Sequence, residues 1–162
     1  MSLARLARLI RSAGRVAEPA PEAPPTAPGL PDALAGSVQV RHVDAGSCNA
    51  CEIEVGSAFG PVYDAERYGA RLVASPRHAD VVLVTGVVTR NMLQPLRRTV
   101  DATPRPRLVL AVGDCARNCG VFAGAYGVTG AVSDAVDVDF EVEGCPPEPA
   151  AIVEALRRVT GR

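Results

Sequence analysis

Apolar residues along this chain fall into short dense runs separated by stretches with three-to-four spacing, the alternation expected when strands and helices follow one another. Val38-Gln39-Val40-Arg41-His42-Val43 predicts a strand that closes at Asp44-Ala45-Gly46-Ser47. A helix is expected over residues 51–59 and a helical turn over 61–68, followed by a short strand over 71–74 that ends at Ser75-Pro76. Residues 79–84 and 107–112 form the most continuous apolar runs, as strands do when both faces are covered. Residues 89–100 predict a helix that Pro95 bends or opens, and 136–142 a short extended segment. Residues 146–159 predict a helix with its prolines at the start, where a missing N–H costs nothing. Strands alternating with helices imply right-handed crossovers and a parallel sheet. The expected fold is therefore α/β, a flavodoxin-like three-layer domain with a parallel sheet of about four strands.

The first third of the chain follows other rules. Within residues 1–16, Leu3, Leu6, Leu9 and Ile10 stand at helical spacing among Arg5, Arg8, Arg11 and Arg15, with no acid. This predicts a basic amphipathic N-terminal helix, either simply solvated or suited to a partner subunit or an anionic membrane surface. Residues 17–36 are a Pro/Ala-rich linker with six prolines between Pro19 and Pro31, a composition that behaves as an extended spacer. The folded domain is expected over 37–162.

Charge and composition narrow the function. The chain of 162 residues carries 17 Arg, no Lys and 18 acids, a net charge of −1. That balance, with aromatics at 4% and no Trp, excludes the basic excess and stacking platforms of a nucleic-acid binder. Residues 81–88, the longest apolar stretch, are too short to cross a bilayer. No segment reads as an export signal, so the expected location is cytoplasmic, soluble or peripheral on the inner face of the membrane.

The chemistry concentrates in the cysteines, at positions 48, 51, 115, 119 and 145, all in Gly-rich loops. Without export a disulfide framework is disfavoured, which leaves metal binding or redox chemistry. Open α/β sheets bind ligands outside the carboxyl ends of their strands, and Cys48, Cys51, Cys115 and Cys145 each follow a predicted strand or extended segment. Four thiolates at that edge suit a [4Fe–4S] cluster. They also leave zinc open, with Cys48, Cys51, Cys115 and Cys119 as a four-thiolate structural site and Cys145 free. Gly144-Cys145-Pro146-Pro147 presents its thiol rigidly, which favours a ligand role for Cys145. Cys119 reads as a small half-buried thiol rather than a ligand. The backbone N–H groups around Gly46, Gly113 and Gly120 are candidate donors to sulfur.

Three motifs in order, Asp44-Ala45-Gly46-Ser47-Cys48-Asn49-Ala50-Cys51-Glu52-Ile53-Glu54, Ser75-Pro76-Arg77-His78-Ala79-Asp80 and Gly144-Cys145-Pro146-Pro147-Glu148-Pro149, resemble one family. It joins a cluster-bearing component of respiratory complex I with the small subunits of membrane-associated (group 4) [NiFe] hydrogenases, and the formate hydrogenlyase branch is the most similar. The resemblance covers about residues 38–160. The Cys48-x-x-Cys51 spacing matches the hydrogenase branch, where complex I proteins carry adjacent cysteines.

The resemblance implies that Cys48, Cys51, Cys115 and Cys145 hold one [4Fe–4S] cluster, with Cys119, at a place normally held by glycine, as an alternative ligand. It further implies a subunit of an oxidoreductase complex that is not catalytic alone and relays electrons between a ferredoxin-type iron–sulfur subunit and a NiFe large subunit. Membrane subunits complete the expected assembly. Because no cysteine follows position 145, a single cluster is expected. Glu52, Glu54 and Arg77 are candidates for a proton or charge role, and Arg90 for pairing with the large subunit. His42 and His78 are expected to pack rather than ligate. A complex I-like NADH:quinone oxidoreductase component passing electrons to quinone is the first alternative and a zinc-stabilised interaction module the second.

Overall fold

The computed structural model describes residues 2–13, 22–25 and 34–162. In chain order the elements are α1 (Leu3–Ala13), β1 (Val38–Asp44), α2 (Ala50–Ala58), β2 (Ala70–Leu72), β3 (Val81–Thr85), β4 (Val88–Thr89), α3 (Leu93–Ala102), β5 (Leu108–Val112), α4 (Asp114–Asn118), β6 (Val128–Gly130), β7 (Phe140–Val142) and α5 (Pro149–Thr160). Residues 1 and 14–16 of the expected helix and most of the expected linker lie outside the described residues. Leu34, inside the stretch expected to be linker, is buried against the core.

Five strands form one sheet in the order β2-β1-β3-β5-β7, and every pairing in it is parallel. With the sheet strands counted alone this is 2-1-3-4-5, the flavodoxin-like doubly wound order, with its switch point between β1 and β3. The fifth strand comes from the end of the segment 136–142. Thr89, expected to open a helix, instead joins Val88 in pairing antiparallel with β6 in a separate two-stranded ribbon. The helix starts at Leu93, which puts Pro95 in its first turn, where no intrahelical N–H is missed.

The interior strands are buried on both faces. Val81 and Leu83 of β3, with Leu108, Leu110 and Val112 of β5, pack beneath Val55 of α2 and Ile152, Val153 and Leu156 of α5. Their alternate residues, Val82, Val84, Val109 and Ala111, pack beneath Leu96 and Val100 of α3 and Ala116 of α4. A period of two on one strand therefore feeds two cores, giving the three layers.

Register sets where the loops begin. Asp44 pairs with Thr85, Thr85 with Val112, and Val112 with Val142. Four strands thus end on one transverse row, and their outgoing loops start level along one edge.

At that row β1 and β3 are tied to α2. The Thr85 hydroxyl donates to Glu52 Oε1 on the first turn of α2, and His42 Nε2 lies 2.9 Å from Thr85 Oγ1. Because the hydroxyl proton is committed to Glu52, His42 Nε2 is the donor in that contact. Burial lowers the His42 pKa below 6.5, outweighing the Glu52 and Asp44 carboxylates that raise it. The unfolded chain therefore takes up this proton at a higher pH than the folded one. The resulting stability is present above about pH 6.5 and is lost as pH falls towards the depressed folded value. In urea titrations, the unfolding midpoint should drop more between about pH 7.5 and 5.5 for the wild type than for His42→Gln. A second expectation concerns Cys119, which caps α4 with a left-handed φ of +67°. That region costs a non-glycine residue roughly 1–2 kcal/mol. Cys119→Gly should raise stability in denaturant unfolding by about 0.5–1 kcal/mol, after glycine's own entropic cost.

Candidate metal centre

Each cysteine loop is shaped by its own short-range chemistry. After β1, the Asp44 carboxylate accepts from the N–H groups of Gly46 and Ser47 through one oxygen, both at 2.8 Å. This Asx turn folds the chain back at once. Ser47 Oγ then accepts from the Asn49 N–H at 3.1 Å, and α2 starts with Cys51 in its first turn. Thr89 reaches across from β4, its N–H and its hydroxyl both donating to the Ala45 carbonyl at 3.0 Å.

After β5 the chain passes through Gly113, with φ +90°, into α4 and Cys115. A Cβ at Gly113 would stand 2.6 Å from Cys51 Sγ, so glycine here serves both the turn and the close approach of a thiol. A Cβ at Gly120 would meet Cys115 Sγ at 3.2 Å. After β7 the chain reaches Gly144 and Cys145, with Pro146 and Pro147 outside α5 and Pro149 at its first turn.

The second and third loops are clamped together. The Asp114 N–H donates to the Gly144 carbonyl at 2.9 Å, and the Gly144 N–H donates back to Asp114 Oδ1 at 3.0 Å. Arg117 closes the outside of this clamp. Its Nε donates to Glu141 at 2.9 Å, its Nη2 to Glu143 at 2.8 Å, and its Nη1 lies 3.4 Å from Asp114 Oδ1. The hydrogen bond to Glu141 is the main reason its pKa rises above the ordinary value, with Glu143, Glu141 and Asp114 adding as charges. One guanidinium thus joins the helix bearing Cys115 to the strand leading to Cys145.

Cys51 and Cys115 are buried, while Cys48 and Cys145 are exposed. Burial pushes the Cys51 thiol up to about 12, and Glu52, Cys115, Cys48 and Cys145 add to the rise. Cys115 is raised by burial first and then by Cys145, Cys48 and Asp114, with a side-chain hydrogen bond to Cys145. Cys48, Cys115 and Cys145 thus lie within electrostatic reach of Cys51, and Cys48 and Cys145 within reach of Cys115. Among the described residues, no three His, Cys, Asp or Glu side chains are gathered tightly enough to clasp a single ion.

The donor set fits an iron–sulfur cluster by two observations. Four soft donors converge from three loops, and Gly113 and Gly120 leave beside two of the sulfurs the room that a Cβ would fill. Four mutually repelling thiolates, two of them buried, need a polycationic centre to remain deprotonated together.

Other expected residues fall elsewhere. Cys119 is raised by burial and by Asp134; it is not among the groups acting on Cys51 or Cys115. Glu52 stands next to Cys51, bound to Thr85, with Oε2 buried and without a partner among the described residues. Glu54 is half-buried on α2. Arg77 and His78 occupy an exposed turn just before β3. That is the amino edge of the sheet, opposite the cysteine loops. The Arg90 guanidinium stacks on Tyr126 at 4.7 Å.

Among the amides around the three loop glycines, those of the glycines themselves are already engaged. Gly46 donates to Asp44, Gly113 to the Val142 carbonyl at 2.8 Å, and Gly120 to Asn118 Oδ1 at 3.0 Å. The tight turns that present the thiols consume these three donors. Sequence reasoning also missed Thr85, Arg117, Glu141 and Glu143. Asp44-x-Gly46-Ser47 carries a local Asx-turn signal, whereas the Arg117 clamp spans up to 26 positions and leaves no local trace.

The sequence is 42% identical over 125 residues to formate hydrogenlyase subunit 7 of Escherichia coli strain K12, covering 77% of this chain and 49% of that protein. The chain thus spans about half the length of that relative. It is 44% identical over 117 residues to the probable membrane-bound hydrogenase subunit mbhJ of Pyrococcus furiosus, covering 72% of this chain and 70% of that one. Among solved structures, a chain of the membrane-bound sulfane sulfur reductase, an archaeal respiratory membrane complex, superposes with a TM-score of 0.68 at 31% identity. That match covers 78% of this chain and 70% of the other. The family model described as NADH ubiquinone oxidoreductase, 20 kDa subunit, matches residues 48–159, from the first cysteine to the end of the last helix, and the chain belongs to that family.

Proposed function

We propose that this chain is the electron-relay subunit of a membrane-associated oxidoreductase complex of the hydrogenase type, with Cys48, Cys51, Cys115 and Cys145 holding one [4Fe–4S] cluster. The observation that carries the proposal is the convergence of these four thiols from three loops that leave one in-register row of strand ends. Four cysteines match the one-per-iron demand of such a cluster. When bound, the cluster supplies one-electron transfer at a potential set by charge, burial and hydrogen bonding.

The chain's own residues position and shield the centre. Asp44 and Ser47 hold the first loop, Asp114 and Arg117 hold the second against the third, and Thr85 fixes the start of α2 through Glu52. Buried Cys51 and Cys115 face away from water, while exposed Cys48 and Cys145 leave one side of the centre open to a partner. Ile53 and Val121, both exposed, flank the cysteine loops in sequence and suit contact with a large subunit. On this reading electrons arrive from a ferredoxin-type iron–sulfur subunit and leave to a NiFe large subunit, where protons and H2 interconvert. No residue of this chain touches that substrate. No helix among the described residues is long and apolar enough to cross a membrane.

A second reading is supported by the 31% identical structural relative, which belongs to a sulfane sulfur reductase, and by the family's ubiquinone oxidoreductase description. The chain would play the same part, and only the chemistry of the large subunit would differ. EPR of the dithionite-reduced complex, with iron, sulfide, nickel and zinc assayed on the same sample, tests both. A reduced-cluster signal with nickel present supports the hydrogenase reading, and the same signal without nickel supports the second. One zinc per chain with no sulfide overturns the relay.

Replacing Cys48, Cys51, Cys115 or Cys145 with Ser should reduce iron and acid-labile sulfide from about four each per chain towards zero. Cys119→Gly should leave both unchanged. Arg117→Met keeps every thiol but releases the clamp; iron loss to a chelator under anaerobic conditions should accelerate by roughly 10–100-fold, the usual scale for removing an outer-shell support.

A further inference from the structure

Helix α1 takes no part in the sheet or in the metal centre, and none of its residues is buried. At 3.6 residues per turn, Leu3, Leu6, Ala7, Leu9, Ile10 and Ala13 fill one arc of its surface. Arg5, Arg8, Arg11 and Ser12 fill the other, with Ala4 among them. The four large apolar side chains are 41–86% exposed.

Such a helix is poorly stabilised in water. Eleven residues fall below the length at which isolated helices persist. Arg5–Arg8 and Arg8–Arg11 are like-charge pairs at the i,i+3 spacing that destabilises a helix. No acid in the helix offsets them, and the hydrogen bonds of Ser2 and Ser12 within this segment are local ones. What would stabilise it is a surface that covers the apolar arc and places negative charge along both borders. The interface of an anionic bilayer meets both requirements. At about 16 Å the helix is too short to span the hydrocarbon core, so it would lie in the plane. Arginine stems also reach along an apolar surface while the guanidinium stays with the headgroups. A protein groove would more often be matched by mixed charges or amides that fix register, and this polar arc carries positive charge alone.

We propose that α1 is an in-plane anchor that docks onto anionic lipid and holds the iron–sulfur domain against the membrane surface. This deepens the membrane-associated reading but does not depend on the cluster.

The test is co-sedimentation of the full chain, prepared anaerobically, with phosphatidylcholine vesicles and with vesicles that also contain phosphatidylglycerol. Circular dichroism follows the helix, and iron and sulfide are assayed on the same samples. The expected result is salt-sensitive binding to the phosphatidylglycerol vesicles, weak binding to the neutral ones and a gain of helix on binding. The combined Arg5→Gln, Arg8→Gln and Arg11→Gln variant should partition about a hundredfold less, at roughly fivefold per arginine. A Leu6→Gln, Ile10→Gln variant should also lose binding, through the apolar face. The proposal is overturned if the full chain stays in solution with anionic vesicles or if the Arg variant sediments as well as the wild type. It is equally overturned if vesicle binding is absent but the Arg variant dissociates from its partner subunits in a detergent-solubilised complex; α1 would then dock on protein. A sample that binds vesicles normally but contains no iron or sulfide would count against the cluster and leave this inference standing, so the two readings fail separately.

Discussion

The in-register ending of β1, β3, β5 and β7 is the constraint on which the rest of the molecule depends. Asp44, Thr85, Val112 and Val142 form one transverse row. Only two or three residues separate the row from Cys48, Cys115 and Cys145. With loops this short, the thiols meet only if their strands finish level. A slip of one residue would turn each strand's buried faces over as well. The two cores on either side of the sheet therefore hold the register that gathers the sulfurs.

Electrostatics at the row work against the thiols until something positive binds. Two of the four, Cys51 and Cys115, are buried, and both are pushed up by burial first, then by neighbouring cysteines and by Glu52 or Asp114. The protein meets this with structure rather than with nearby cations. Arg117, the cation that holds the second and third loops together, is spent on Glu141, Glu143 and Asp114. The glycine amides are likewise spent on forming turns. What remains is a set of four thiols on three neighbouring loops, two buried and two exposed. The exposed pair, Cys48 and Cys145, marks the side on which a partner would complete the enclosure.

Much of this was legible in the residues. The apolar runs at 81–84 and 108–112 announced strands covered on both faces, and the strand–helix alternation announced the parallel sheet. The positions of Cys48, Cys51, Cys115 and Cys145 after strand-like segments placed them along one edge. Boundaries were less legible, because Thr89 reads alike locally whether it opens a helix or follows Val88 into a short strand paired with β6. Cys119 shows the limit in another form: its sequence neighbourhood makes it a ligand candidate, yet its left-handed φ at the end of α4 and its neighbour Asp134 set it apart from the other four.

The sequence by itself determined the fold class, the basic amphipathic face of α1 and the cysteine edge of the sheet, because hydrophobic period and turn chemistry act over a few neighbouring residues. Only the tertiary structure decided that Arg117 joins α4 to the β7 edge, that Thr85 ties Glu52 to His42, and that Arg77 lies at the far edge from the thiols. Those outcomes rest on strand order and register, which emerge when separated segments pack against one another and which no local pattern along the chain encodes.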